Sequence, residues 1–384
     1  MKPVKRINSE RLKEARLYRK MTMEEVADIV EVNKQAISQF ENGKANPEPL
    51  TLKRIADALS FPYCFFAEDS THTLVGNTYF RSLYSSRKKD LVSQQIKTKY
   101  LIQIYMILRE KVRFKPLNLP DLSYSNPTAI EDIAKEVREY WQLGENPIPN
   151  MVDLLEKNGI VVGEFATESR EIDAFYQYSE EEYEPVFCVV LGTDKKSFYR
   201  RQFNCAHELG HILLHERYHD LDEIDRDEFR ERENQANAFA SAFLLPKASF
   251  GKDVSLYPNR LSYYVELKKK WHVSIMAMII RAHTLNIIST NQYTYLMRQM
   301  SMKNYRQNEP LDDLVAYKHP RALRQAIDIL MTQGKYTGER IMQLFSDHGF
   351  SLSPNIIEEL LDLEPGKLAS HYEESNVIYL SERV

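Results

Sequence analysis

From residue 7 to residue 66, apolar positions recur at three- and four-residue spacing without alternation, so this stretch reads as short helices separated by punctuation. Thr22, with Glu25 three residues on, makes a capping box that opens a helix over MEEVADIV. Asn33 is an N-cap for KQAISQFEN, and Gly43 sits beyond that helix as its C-cap. A third helix, LTLKRIADALS, carries Leu52, Ile55, Ala56 and Leu59 at helical spacing. AEDSTHTLVGNT (67–78) is polar and irregular and reads as a linker. Residues 79–113 read as one long helical segment, and the Pro-rich FKPLNLPDLSYSNP (114–127) as a domain boundary.

The pattern then becomes mixed. IEDIAKEVREYWQL and NMVDLLEKNG predict amphipathic helices, the second ending at Gly159. IVVGEF, IDAFYQY and PVFCVVL predict strands, the last with the β-branched content of a buried one. The turn GTDKK leads to a helix around CAHELGHILLHE, and FRERENQANAFASAFLLP is a second long helix stopped by Pro246. Residues 250–370 are nearly all helix-patterned, with a late strand expected at NVIYL. The fold class is therefore α+β, predominantly α. The expected division is 1–66, a linker and long basic helix over 67–127, a mixed core over 128–250, and a helical C-terminal region over 251–384.

Composition narrows the picture in three ways. With 384 residues, 43% hydrophobic and 28% charged, the chain is long enough for two or three domains with real cores. The net charge of −4 conceals an N-terminal excess: residues 1–66 hold 12 Lys+Arg against 9 Asp+Glu, about +3. The basic front of 79–113 (Arg81, Arg87, Lys88, Lys89, Lys97 and Lys99 against Asp90) is expected to be a solvated helix face. Three scattered cysteines fit a reducing compartment, and neither a membrane-length apolar run nor a signal-peptide core is seen, so a cytoplasmic protein without membrane contact is expected.

Two constellations carry chemistry. In KQAISQFEN, Ile37 and Phe40 face the preceding helix, where Ala27 permits close approach, and this turns Lys34, Gln35, Ser38 and Gln39 outward. Glutamine pairs with adenine edges and lysine with guanine or phosphate, so the outward face has base-reading chemistry. Over residues 8–66 these spacings resemble the helix-turn-helix of lambda-type phage repressors, the XRE family. The resemblance implies that Lys34, Gln35 and Gln39 face bases of double-stranded operator DNA, with Asn42 and Lys44 near the backbone. Met23 stands where many relatives carry a phosphate-gripping Gln, which implies weak half-site binding and so a homodimer on a pseudo-palindrome.

The second constellation is HELGH. It sets His207 and His211 one helical turn apart, where two imidazoles reach one ion, and places Glu208 to accept a proton from water. A catalytic zinc site needs a third protein ligand. On the following helix Glu233 continues the inward face of Ala236 and Ala240, whereas Glu231 points outward, so Glu233 is the expected ligand. Asn237, four residues on, is expected to orient a ligand. His215 and His219 are the alternative ligands, and His215 is read as packing beneath the site. Tyr218, His219, Tyr263, Tyr264 and His283 are candidates for stabilising an oxyanion, with no choice among them.

EVREYWQLGENPIPNMVDLLEKNGIVV, RRQFNCAHELGHILLH, ENQANAFASAFLLP and WHVSIMAMIIRAHTLNII resemble the ImmA/IrrE-type metallopeptidases, over most of residues 79–310. The resemblance implies a gluzincin-like core in which His207, His211 and Glu233 bind Zn2+ and Glu208 is the base. Cys205 departs from the apolar residue usual in that family and reads as a small hydrophobe. A zinc endopeptidase acting on a regulator or toxin encoded nearby, or on the chain's own linker, is implied. The alternative is a transcription factor or antitoxin whose peptidase-like domain binds a ligand or partner without turnover.

Overall fold

The computed structural model describes residues 7–69, 74–80, 88–122, 130–166, 174–180, 185–193, 197–215, 225–316 and 318–369, the segments 74–80 and 174–180 by backbone alone. NVIYL, Arg81, Arg87, Tyr218 and His219 lie outside them. The architecture is α+β and mostly helical. The chain divides into two compact units, one formed by Met1–Thr71, Met106–Val112 and Leu323–Val384, the other by His72–Tyr105 and Arg113–Ala322.

The first unit opens with α1 (Ser9–Tyr18), α2 (Met23–Val30), α3 (Lys34–Glu41) and α4 (Pro49–Leu59). Their starts follow local chemistry. The Glu25 amide donates to Thr22 Oγ1 at 3.1 Å while the Glu25 carboxylate accepts from the Thr22 amide at 2.6 Å. Asn33 Oδ1 accepts from the Ala36 amide at 2.7 Å. Gly43, at φ 66, takes the left-handed conformation that closes α3. Leu12, Ala15, Val26, Ile37, Ile55, Leu59 and Phe65 form the core of these helices. A buried bidentate pair, Arg16 Nε to Glu41 Oε1 at 2.5 Å and Nη2 to Oε2 at 2.8 Å, ties α3 to α1.

Within the same unit, the C-terminal segment packs with the N-terminal helices. The buried guanidinium of Arg11 donates to the Gly349 carbonyl at 3.3 Å, the Ser351 amide to the Glu68 carboxylate at 3.0 Å, and Ser353 Oγ to the Ser60 carbonyl at 3.2 Å. Nothing in the local pattern of residues 323–369 shows this pairing, because its partners lie 283 to 338 residues upstream.

In the second unit, β1 (Leu74–Phe80) and α5 (Lys88–Arg109, which continues into the first unit's 106–112 segment) precede α6 (Ile130–Tyr140), α7 (Met151–Lys157), β2 (Val161–Phe165), β3 (Ala174–Glu180) and β4 (Val186–Gly192). α8 (Phe198–His215), α9 (Arg226–Leu244), α10 (Lys247–Val254), α11 (Leu261–Trp271), α12 (Ile275–Thr284) and α13 (Thr290–Met302) follow. The sheet order is β1-β3-β4-β2, with β2 and β4 parallel and the other pairs antiparallel. Val162, Phe187, Val189 and Leu191 turn one face of the sheet into the main core with α8 and α9. On the opposite face, Gly163 lies against the Leu101 side chain of α5, where an added Cβ would collide.

Two expectations are corrected here. Residues 74–80, read partly as linker and partly as helix, form an edge strand whose register comes from backbone pairing with β3. α5 is not a solvated basic helix: Ser93, Gln94, Lys97, Thr98, Tyr100, Leu101 and Ile102 are buried. Lys88 and Lys89 do face solvent, but Lys97 lies in the interior with its ammonium 5.4 Å from the centre of the Phe165 ring. Charge counts along a sequence do not register that a long aliphatic stem can be buried against a sheet.

Candidate metal centre and recognition helix

α8 and α9 meet closely because Gly210 has no side chain. A Cβ there would lie 3.1 Å from Phe239 Cδ1 and 3.2 Å from the Cα and carbonyl oxygen of Ala236, both on α9. This apposition brings Glu233 to the two histidines of α8. His207 Nε2 and His211 Nε2 are 3.0 Å apart, Glu233 Oε1 is 3.1 Å from His211 Nε2, and Glu233 Oε2 is 3.4 Å from His207 Nε2. Donors bound tetrahedrally at 2.0–2.1 Å from one zinc ion would be about 3.3 Å from each other. The three ligand atoms therefore fit such an ion with little movement, and they form a cluster able to hold a metal.

The other ring nitrogens are also engaged. His207 Nδ1 is 3.1 Å from Asn237 Oδ1, His211 Nδ1 is 2.9 Å from His215 Nδ1, and His215 Nε2 is 2.9 Å from Gln235 Oε1. His207, Glu208, His211 and His215 are all buried. Burial opposes ionisation of Glu233, but the hydrogen bonds and charges of His207 and His211 outweigh it and hold this carboxyl well below the usual range. Burial, followed by the neighbouring His211, pushes the His215 imidazole down to about 3, so it is neutral at physiological pH. Burial raises the Cys205 thiol to about 12, so this residue packs as a neutral, inert thiol.

Sequence reasoning had put His215 beneath the site, and the structure adds its contact with His211. It did not single out Gln235, although Gln235 falls on the same helix as Glu233 and Asn237. Among the oxyanion candidates, Tyr263 Oη donates to the Asp253 carbonyl at 3.1 Å and Tyr264 Oη to the Pro258 carbonyl at 2.8 Å. His283 Nε2 lies 3.3 Å from Thr290 Oγ1.

On α3, Ile37 and Phe40 are buried while Lys34, Gln35 and Gln39 face solvent and Ser38 is half-buried. Lys34 Nζ reaches Glu24 at 3.2 Å in an exposed pair, an interaction that solvent keeps weak and exchangeable. Asn42 Nδ2 donates to the Ser38 carbonyl at 2.6 Å, and Lys44 is exposed. Met23 is half-buried at the start of α2.

Two family models cover these two places. Residues 12–66 match the model described as Helix-turn-helix, and residues 155–283, from α7 through α12, match the IrrE N-terminal-like domain. The chain thus joins a helix-turn-helix segment to a metallopeptidase-like domain of that type. The N-terminal part is similar to the HTH-type transcriptional repressor RghR of Bacillus subtilis (strain 168), 42% identical over 55 residues. That match spans 14% of this chain and 41% of the repressor's length. Among the described residues, no helix is long and apolar enough to cross a membrane.

Proposed function

We propose that this protein is a DNA-bound regulator whose second unit is a zinc-dependent endopeptidase acting on a regulatory protein partner. The observation that carries the reading is the convergence of His207 Nε2, His211 Nε2 and the Glu233 carboxylate, all within 4.8 Å of one another, beside a buried Glu208. Three protein ligands leave a fourth position for water or substrate, the arrangement of a catalytic rather than a structural site. Zinc, when bound, supplies Lewis acidity toward water and toward a peptide carbonyl. Glu208 accepts the proton of the attacking water and later returns it to the leaving amine. A binding module has no use for such a base, which favours turnover over ligand sensing. Asn237 Oδ1 accepts from His207 Nδ1–H and holds that ring with Nε2 turned toward the ligand cluster.

The exposed face of α3 supports the DNA half of the proposal. Gln35 and Gln39 are free to pair with adenine edges, with Lys34, Asn42 and Lys44 at base or backbone positions. A homodimer presents two such helices to half-sites one helical turn apart.

Elemental analysis of the purified chain tests the metal. About one zinc per chain is expected in the wild type and in Glu208→Gln, with most of it lost in His207→Ala or His211→Ala. A wild-type chain that takes up no zinc, or a His207→Ala variant that keeps it fully, contradicts the assignment.

A further inference from the structure

The sheet of the second unit is assembled from two parts of the chain. The segment that matches the IrrE N-terminal-like model, residues 155–283, contains β2, β3, β4 and both helices of the candidate metal centre. The fourth strand, β1, comes from residues 74–80, between the helix-turn-helix segment and α5, and pairs antiparallel with β3 at the edge of the sheet. Without β1, the backbone N–H and C=O groups along that side of β3 form an open ladder, a template on which an extended segment of another chain adds as a strand. This edge lies toward the metal helix, because α8 packs on β3 and β4, whereas α7 packs on β2 at the other end of the sheet. β1 is also weakly made for its place. Val75 pairs with Ser179 and Thr78 with Gln177, so β1 takes three steps where β3 takes two, and the extra residue is a bulge at Gly76–Asn77. Glycine and asparagine are poor strand formers, and the bulge interrupts the ladder in a strand of only 7 residues.

We propose that the β3 edge is the docking site for an extended segment of the protein substrate, which adds antiparallel to β3, and that β1 occupies this edge until the substrate displaces it. This docking role rests on the endopeptidase reading of the same unit and gives it a substrate requirement. The partner must offer an extended stretch of about the length of β1, without proline at the amides that face β3. Backbone pairing supplies the affinity, so the requirement falls on conformation more than on residue type. β1 itself demonstrates that the edge accepts such a segment and in which direction it runs. Exchanging one strand for another breaks and remakes the same kind of ladder, so few hydrogen bonds are lost. What separates the two strands is the tether. β1 belongs to the chain and competes at an effective concentration of about millimolar. A partner held at the same operator competes on comparable terms, and a freely diffusing one does not.

Binding of a fluorescein-labelled peptide of residues 72–82 to the full-length Glu208→Gln chain tests the exchange in the absence of cleavage. Successive amides of a strand face opposite sides, so in Thr78→Pro/Tyr79→Pro one proline removes a ladder bond to β3 and β1 should come away. About half of the β3 amides over 175–179, those on the β1 side, should then lose exchange protection, while Val189 and Val190 in β4 keep theirs. Fluorescence anisotropy should show the peptide binding this variant at least about tenfold tighter than the chain with β1 intact. A peptide carrying the same two prolines should bind neither. Thr78→Cys/Gln177→Cys joins two paired Cα positions and does the reverse. Oxidised, it should bind no peptide at concentrations that saturate its reduced form, a result that decides the matter even if the proline variant does not fold. Equal binding with β1 intact, released and locked would place the peptide elsewhere and overturn the proposal, as would exposed β3 amides without tighter binding. Peptide exchange as expected, with no partner cut by wild type, keeps the β3 edge as a docking site and removes the endopeptidase reading. Cleavage of the partner at an unchanged rate by oxidised Thr78→Cys/Gln177→Cys with Glu208 in place keeps the endopeptidase and refutes the docking.

Discussion

Replacing Gly210 by alanine tests whether the distance between α8 and α9 sets the metal centre. The new Cβ would start 3.1 Å from Phe239 Cδ1 and 3.2 Å from the Ala236 backbone. Carbon atoms pack favourably at about 3.5–4.0 Å, so the neighbours must yield by roughly 0.3–0.6 Å. Phe239 can turn slightly, but the Ala236 backbone can move only with α9, which carries Glu233. Two energies then oppose each other. Alanine gains about 0.8–1.0 kcal/mol of helix propensity over glycine, while overpacking a tight interface costs about 1–3 kcal/mol. The fold should therefore lose only roughly 0–2 kcal/mol, and the variant should remain folded. The metal is less forgiving, because ligand distances tolerate only about 0.2 Å. Zinc affinity in Gly210→Ala should drop about 10-fold or more, measured by chelator competition beside a thermal melt. A variant that is more stable than wild type and binds zinc equally well would refute the reasoning, since α8 and α9 would then not be in this close contact.

Four further outcomes are expected. Glu41→Ala strands the buried Arg16 guanidinium, whose side chain is 8% exposed, and should destabilise the N-terminal helices by about 3–5 kcal/mol, seen as lost amide-exchange protection in α3. Gln35→Ala and Gln39→Ala should each cost about 1–3 kcal/mol of operator binding and relax sequence preference, and undiminished specific binding by the double variant would place the reading surface elsewhere. Only the exposed Cys64 should react with iodoacetamide in the folded chain at pH 8, with Cys188 and Cys205 reacting after denaturation. Burial raises the Cys205 thiol from the ordinary 9.0 to about 12, so the stability tied to its neutral form is complete below pH 9 and falls as pH rises from 9 toward 12.

The parts of this structure that were legible in the sequence are those with a local cause. Thr22, Glu25, Asn33 and Gly43 mark helix ends through bonds to residues within four positions, and their spacing shows them. The juxtaposition of His207 with His211 follows from one helical turn, and Glu233 and Asn237 share one face of α9 by the same period. Other features depend on distant partners. β1 (LVGNTYF) has no alternation to mark it in sequence and is a strand because β3 offers it a ladder. Lys97 looks solvated and is buried because a sheet lies over it. Arg11 and Glu68 join the C-terminal segment to the N-terminal helices across gaps of 338 and 283 residues, for which sequence carries no periodic signal. His215 lay between the two kinds. The four-residue ladder of His207, His211 and His215 was visible, but the contact of His215 with Gln235 needed α9 in place.

The most direct test of the account is an intact-mass measurement after incubating the zinc-loaded chain with the protein encoded beside it. Wild type should cut that partner at one backbone position, with the two fragments summing to the partner plus one water, while Glu208→Gln holds zinc and cuts nothing. A linker-sized loss from this chain itself, again absent in Glu208→Gln, would keep the peptidase and change its substrate. Cleavage by Glu208→Gln at the wild-type rate, or no cleavage by wild type of partner or self under any inducing condition, would contradict the enzyme reading and leave a regulator that only binds.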